Sequence, residues 1–202
     1  AVESILIQSY TNYVLMIHQD GPVPEAMEAY LKDLCEHNKQ VRLITSVNNI
    51  GLGAALNKII KLSAEYKPTY IIRMDSDDIC LPSRFEKQIA FLQANPEIDV
   101  LGSSLLEVNE TGKQVGRRIM PEHHELLMKV LARRCPLNHP TVVIRYTSLL
   151  KYGSYDPAHK NTQDFYLWIN MVRQGGKLAN LREPLLKFRR VNGFYKRRGS
   201  EK

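Results

Sequence analysis

The chain alternates short β-prone apolar runs with longer stretches of helical periodicity. Tyr13 to His18 reads as the first β-prone run. Pro24 to His37 carries Met27, Tyr30, Leu31 and Leu34 at helical spacing, which predicts a helix with that face inward. Val41 to Thr45 predicts a short strand, and Gly51 to Ala64 a helix burying Leu52, Ala55, Leu56, Ile59 and Ile60. Thr69 to Met74 predicts the next strand, and Leu81 to Ala94 a third helix with Pro82 near its first turn. Strands alternating with helices of this length predict an α/β fold. Its sheet is expected to be twisted, mostly parallel and covered by helices on both faces, with ligands beyond the carboxyl ends of the strands.

The second half changes character. Val100 to Val108 and Gln114 to Met120 flank Asn109-Glu110-Thr111-Gly112, which predicts a smaller β-hairpin region. Pro121 to Arg134 is helical in pattern, Thr141 to Arg145 strand-like, Thr162 to Arg173 helical, and Leu185 to Arg190 β-prone. No internal repeat and no linker interrupts the pattern. The expected organisation is one domain over residues 1–190 and a tail over 191–202.

Chemistry enters at Tyr70-Ile71-Ile72-Arg73-Met74-Asp75-Ser76-Asp77-Asp78, an apolar run leading into three carboxylates. Like charges this close repel, and a divalent cation relieves them: hard oxygen ligands at a strand end hold Mg²⁺ or Mn²⁺ and leave positions open for phosphate oxygens. Asp-x-Asp spacing puts two carboxylates on one side of an extended segment. An acidic surface turn is the alternative, since Asp favours turns.

Composition narrows the class. The 202 residues are 44% hydrophobic and 24% charged, ordinary for a globular domain. No run of eighteen or more apolar residues occurs, so no membrane-spanning helix is expected, and no signal-peptide pattern is visible at the N-terminus. Cys35, Cys80 and Cys135 are far apart, which suggests neither a disulfide framework nor zinc and fits a reducing, cytoplasmic setting. His123-His124-Glu125 lacks zinc-helix spacing, and Gly51-Leu52-Gly53 is followed by Leu56 where a dinucleotide fingerprint needs Gly. The net charge of +7 is uneven: from Lys187 onward seven basic residues face one acidic, +6 in all. A near-neutral body with a basic tail argues against a nucleic-acid partner for the domain. The tail itself, with Phe188, Phe194 and Tyr195 interleaved, suits peripheral contact with an anionic inner-membrane face, or is a solvated end.

Further segments then fall into order. Ser4-Ile5-Leu6-Ile7-Gln8-Ser9-Tyr10, Gln19-Asp20-Gly21-Pro22, Asn49-Ile50-Gly51-Leu52 through Asn57, Arg73 to Ile79 with Pro82, Arg84 and Gln88, Asn138-His139-Pro140-Thr141, and Gln163-Asp164-Phe165-Tyr166-Leu167-Trp168 follow one another along residues 3–190. In order and spacing they resemble the inverting family 2 glycosyltransferases of the GT-A fold, near the bacterial polysaccharide and lipopolysaccharide members. The family opens with a strand of the type "VSVI-x-P-x-YN" that has no counterpart here. The resemblance therefore implies an N-terminally incomplete domain: either a piece of a longer chain or a truncated product with a compromised donor site. Gln163 stands where the family often has Glu.

The resemblance implies metal-dependent transfer of a hexosyl or N-acetylhexosaminyl group, with inversion, from a nucleotide-diphosphate sugar, in the first place a UDP-sugar. The acceptor would be a glycan or a lipid-linked glycan. Asp20, Asn49 and Asp75 would contact the nucleotide, and Asp77 would ligate Mn²⁺ or Mg²⁺. Asp78 would ligate or, preferably, cap the next helix. Asp164 would be the general base, and His139 and Trp168 would meet the acceptor or the diphosphate. Bland roles remain beside these: a turn residue for Asp20, a helix-start residue for Asp164, a structural His139 and a core Trp168. A non-catalytic GT-A-like domain is the alternative to an enzyme. A nucleotidyltransferase would need a Gly-rich basic loop near the chain start, and none is seen.

Overall fold

The computed structural model describes residues 1–190, so the tail expectations for 191–202 lie outside the described residues. In chain order the elements are α1 (Val2–Leu6), β1 (Leu15–Asp20), α2 (Glu25–His37), β2 (Val41–Ser46), α3 (Leu52–Ser63), β3 (Tyr70–Ile72), β4 (Ile79–Cys80) and α4 (Arg84–Ala94). There follow β5 (Val100–Val108), β6 (Gln114–Arg118), α5 (His124–Leu131), β7 (Val143–Arg145), α6 (Tyr146–Tyr152), α7 (Gln163–Arg173) and β8 (Leu178–Arg189). Short 3₁₀ turns occupy Ala64–Tyr66 and His139–Thr141. Two compact units make up these residues. One holds 11–69 and 146–174, the other 1–10, 70–145 and the chain from Gly175.

The first unit is built on the parallel pair β1–β2, in register from Leu15 opposite Val41 to Asp20 opposite Ser46. Helix α2 packs on β2, α3 on β1, and α6 on α7. Of the α2 face expected inward, Leu31 and Leu34 are buried, while Met27 and Tyr30 keep 48% and 41% of their surface exposed. A helix against only two strands buries a narrow stripe. Leu52, the first residue of α3, is also exposed, whereas Ala55 and Ile60 are buried.

The second unit holds a six-stranded sheet of order β3-β7-β5-β8-β4, with β6 on β5. Only β5–β8 is parallel here; β3–β7, β5–β7, β4–β8 and β5–β6 are antiparallel. The sheet is therefore mixed, and the parallel character expected from the strand–helix alternation is confined to β1–β2 and β5–β8. Leu92, Ile98, Leu101, Val143 and Ala179 form a core cluster with Tyr70, Ile72, Phe91 and Leu181 against it. Residues 100 to 105 of β5 are all buried, a continuous run that marks a strand covered on both faces.

Local chemistry explains the turns and ends. The Asn109 side-chain oxygen accepts the N–H groups of Thr111 and Lys113 at 3.1 and 2.9 Å, and Gly112 takes φ +81°, so the expected hairpin turn forms. Strand β8 is longer than the β-prone run at 185–190 suggested. Arg182, Glu183 and Pro184 break its apolar pattern, and a register shift in the pairing with β5 absorbs them. Gln8 ties α1 to the start of α4: its amide donates to Leu81 O at 2.8 Å and its oxygen accepts from Phe85 N at 3.1 Å.

Candidate active site

Beyond β3, the chain turns through Asp75 to Asp78 and gathers three carboxylates whose ligand oxygens lie within 4.8 Å of one another. Each is held differently. Asp75 forms an ion pair with Arg73, whose side chain is buried. Arg73 is fixed in turn by Arg84, which is fully enclosed and donates to the Arg73 carbonyl at 2.8 Å and to Gln88 Oε1 at 2.9 Å. Gln88 donates onward to Thr141 O at 2.8 Å. Burial lowers the Arg84 pKa from its ordinary value. Asp77 is exposed, and among the described residues its carboxylate makes no bond.

Asp78 is 0% exposed. Its Oδ1 accepts the backbone N–H of Arg189 at 3.0 Å, and its Oδ2 has no hydrogen-bond partner. Capping of the next helix by Asp78 is therefore corrected: α4 starts after Ser83, and the Asp78 carboxylate serves β8 instead. Burial pushes the Asp78 carboxyl up to about 7; the Arg189 N–H opposes this and the charges of Asp75 and Asp77 add to it.

The raised value carries a stability consequence of definite sign. The folded chain holds a proton on Asp78 that the unfolded chain releases above 3.8, so metal-free stability falls as pH rises from about 4 to about 7. That interval corresponds to about 4 kcal/mol. Urea unfolding in EDTA should therefore find Asp78→Asn gaining on the parent with rising pH and level with it near pH 4. A gap that does not change with pH would refute the buried protonated acid.

In the other unit, Asp20 closes β1 and clamps the loop before α3. Its carboxylate oxygens accept the N–H groups of Ile50 and Gly51 at 2.8 and 3.0 Å, and Asn49 Nδ2 donates to the Asp20 carbonyl at 3.3 Å. Gly21 has φ +102°, and a Cβ there would sit 3.1 Å from Asn49 N, so the Asp-Gly pair is what lets the loop approach. A carboxylate accepting two hydrogen bonds retains lone pairs for ribose hydroxyls or a base N–H. Beside it lies an open cleft of about 270 Å³, lined by residues 49 to 54 and by Pro157, His159 and Lys160. The His159 ring stacks on Tyr166 at 3.4 Å.

Asn57 belongs to the family-like segment from Asn49, and the sequence alone assigns it no role. It fastens the far wall of the cleft, donating to Tyr155 O at 2.7 Å and accepting from Ser154 Oγ at 2.6 Å and Tyr155 N at 3.1 Å. Also missed was a polar group at the carboxyl ends of β1 and β2. There His18 Nε2 meets Ser46 Oγ at 2.9 Å, and Lys58 donates to the same hydroxyl at 2.9 Å.

Asp164 occupies the first turn of α7, half-buried. Trp168, one turn on, is fully buried. That corrects its assignment to the acceptor, because an enclosed indole offers no face to a sugar. His139 opens the 3₁₀ turn after Asn138 and is half-buried. Desolvation lowers its pKa well below the ordinary value, with the Arg73 charge adding. The structure thus gathers Asp75, Asp77, Asp78 and His139 in one unit, and Asp20, Asn49 and Asp164 in the other.

The residues of the acidic turn fit a divalent cation by their chemistry: three hard oxygen donors close together, one of them buried without a partner. The family model of glycosyl transferase family 2 matches residues 1–156. The chain belongs to that family. This family 2 glycosyltransferase is 34% identical over 197 residues to an uncharacterized glycosyltransferase of Haemophilus influenzae, covering 97% of the chain and 71% of the relative. It is 33% identical over 199 residues to the amylovoran biosynthesis glycosyltransferase AmsE of Erwinia amylovora, covering 98% and 73%. Among solved structures, S. aureus TarS 1-349 in complex with UDP matches with TM-score 0.71 at 15% identity, over 94% of this chain and 55% of that one. The likeness to TarS shows a shared fold, and this chain spans about half of the TarS structure's length. Among the described residues, no helix is long and apolar enough to cross a membrane.

Proposed function

We propose that this family 2 glycosyltransferase moves a sugar from a UDP-sugar to a glycan or lipid-linked glycan, with inversion and with the help of Mn²⁺ or Mg²⁺. The observation that carries this reading is the acidic turn after β3, with an exposed Asp77 beside a buried, unpartnered Asp78 oxygen. The complex of TarS with UDP supports a uridine nucleotide, and the naming of AmsE for amylovoran biosynthesis supports a polysaccharide acceptor. Asp77, with Asp78 and Asp75 beside it, would hold the cation, whose chemistry is to neutralise charge on the leaving diphosphate. Asp75, Asp20 and Asn49 would hydrogen-bond the ribose and base, and His139 would meet the diphosphate or the acceptor.

In the transfer step the acceptor hydroxyl oxygen attacks the anomeric carbon from the face opposite the diphosphate. A new C–O bond forms as the old one breaks, and the bonding pair leaves with UDP. The hydroxyl proton passes to the Asp164 carboxylate. A cytoplasmic enzyme held to the inner membrane face by basic residues of the C-terminal end would suit a lipid-linked acceptor.

The deciding experiment is a thermal-shift screen of nucleotide sugars with and without Mn²⁺. UDP-sugars should raise the melting midpoint in the presence of Mn²⁺, and GDP- or CMP-sugars should not. The absence of any Mn²⁺-dependent shift with the whole panel would refute the reading.

A further inference from the structure

The last residue of β8 is bonded to the acidic turn more closely than any sequence motif indicated. Arg189 makes three hydrogen bonds. Its backbone N–H reaches Asp78 Oδ1 at 3.0 Å, its Nε reaches the Asp77 carbonyl at 3.0 Å, and its Nη1 reaches the Glu110 carbonyl at 3.1 Å. Glu110 sits in the β5–β6 turn, and β8 runs beside β5 with Arg189 opposite Val108. One guanidinium therefore spans from the hairpin turn to the peptide between Asp77 and Asp78. Both side-chain bonds go to carbonyl oxygens. Neither takes a carboxylate, so the acidic charge of the turn is left available while the backbone that carries it is fixed.

We infer that Arg189 is a positioning residue for cation binding. It sets the direction of the Asp77 and Asp78 side chains by holding the peptide between them. The inference rests on the proposed reading that Asp77 ligates a divalent cation. Asp78, fully buried with an unpartnered Oδ2, is the independent sign that this turn presents oxygen to something not supplied by the chain. The planar fork of arginine suits the task, since two donors at fixed angle meet two carbonyls; lysine offers one compact charge without that geometry.

Position and charge predict opposite results, which makes the inference testable. If Arg189 contributed only its positive charge, removing it would tighten binding of a cation nearby, by Coulomb's law. If it positions the ligands, removing it weakens binding, and loss of an outer-shell partner costs about 10–100-fold in metal affinity. The measurement is titration of the full chain with Mn²⁺ alone, reading free Mn²⁺ by electron paramagnetic resonance, with melting in EDTA as the folding check. Arg189→Met should raise the Mn²⁺ dissociation constant about 10–100-fold while melting in EDTA stays near that of the parent. Arg189→Lys should recover only part of the loss. Should the Met variant not fold, the Lys variant decides, because weakening with the charge retained again means position.

Unchanged or tighter Mn²⁺ binding in the folded variant would overturn the inference. Asp77→Asn run alongside separates the two levels. Mn²⁺ binding that survives Asp77→Asn would overturn the cation reading itself. Binding lost in Asp77→Asn but intact without the Arg189 side chain would overturn the positioning role alone.

Discussion

Asp164→Asn should cut sugar transfer by about 10²–10⁴-fold, the usual effect of removing a general base. The substitution keeps the size and planarity of the side chain and removes only its ability to take a proton. Asp164 sits in the first turn of α7, where the helix starts after Thr162 and Gln163 is buried beneath. Such a place fixes the direction of a short carboxylate far better than a loop would. The rest of α7 provides the anchor: Leu167, Trp168 and Met171 are all buried, so the first turn cannot drift without opening the core of its unit. UDP affinity should hardly change, because the proton leaves the acceptor and not the donor. Initial rates with saturating donor and acceptor, beside UDP binding by calorimetry, read both quantities. A variant that transfers at near-parent rate would remove Asp164 from the base role. One that loses UDP affinity in proportion would make it a donor-binding residue.

What could be read from the sequence divides along local and distant interactions. The helices α2, α3, α4 and α7 fall within a few residues of their expected bounds because apolar spacing and proline act locally. The hairpin turn was legible for the same reason, since Asn109 bonds within four residues of itself. The acidic turn was legible as a cluster, but its inner structure was not. Whether Asp78 caps a helix or meets a strand depends on Arg189, 111 residues away, and no local pattern records that. Sheet direction is likewise a property of pairs: β5 is parallel to β8 and antiparallel to β6 and β7, although its own residues look the same to each. Helix α6 has no counterpart among the expected elements because Tyr146 to Tyr152 is only seven residues long and follows β7 directly, too short a stretch for a helical period to stand out. The buried Arg84 shows the same limit. Its charge suggests a surface, yet the i, i+4 partner Gln88 and the Arg73 carbonyl satisfy it inside the core.

Asp77→Asn should abolish the Mn²⁺-dependent part of UDP binding. Of the three carboxylates, Asp75 is engaged by Arg73 and Asp78 by the Arg189 N–H. Asp77 alone is exposed with no bond from its carboxylate among the described residues, so it is the group free to enter a cation's coordination shell. Asparagine keeps one oxygen in place but loses the charge that a hard divalent ion requires. The other contacts proposed for the nucleotide come from Asp20 and Asn49, which are bonded to each other and to the loop at 49–51 and do not involve the acidic turn. A weak, metal-independent UDP affinity should therefore persist in the variant and equal that of the parent in EDTA. Calorimetric titration of parent and variant with UDP, each with Mn²⁺ and with EDTA, gives the four values needed. Equal Mn²⁺ enhancement in both proteins would move the ligand role from Asp77 to its neighbours. Loss of affinity in EDTA as well would mean that Asp77 holds the nucleotide directly, through its own hydrogen bonds and not through a cation.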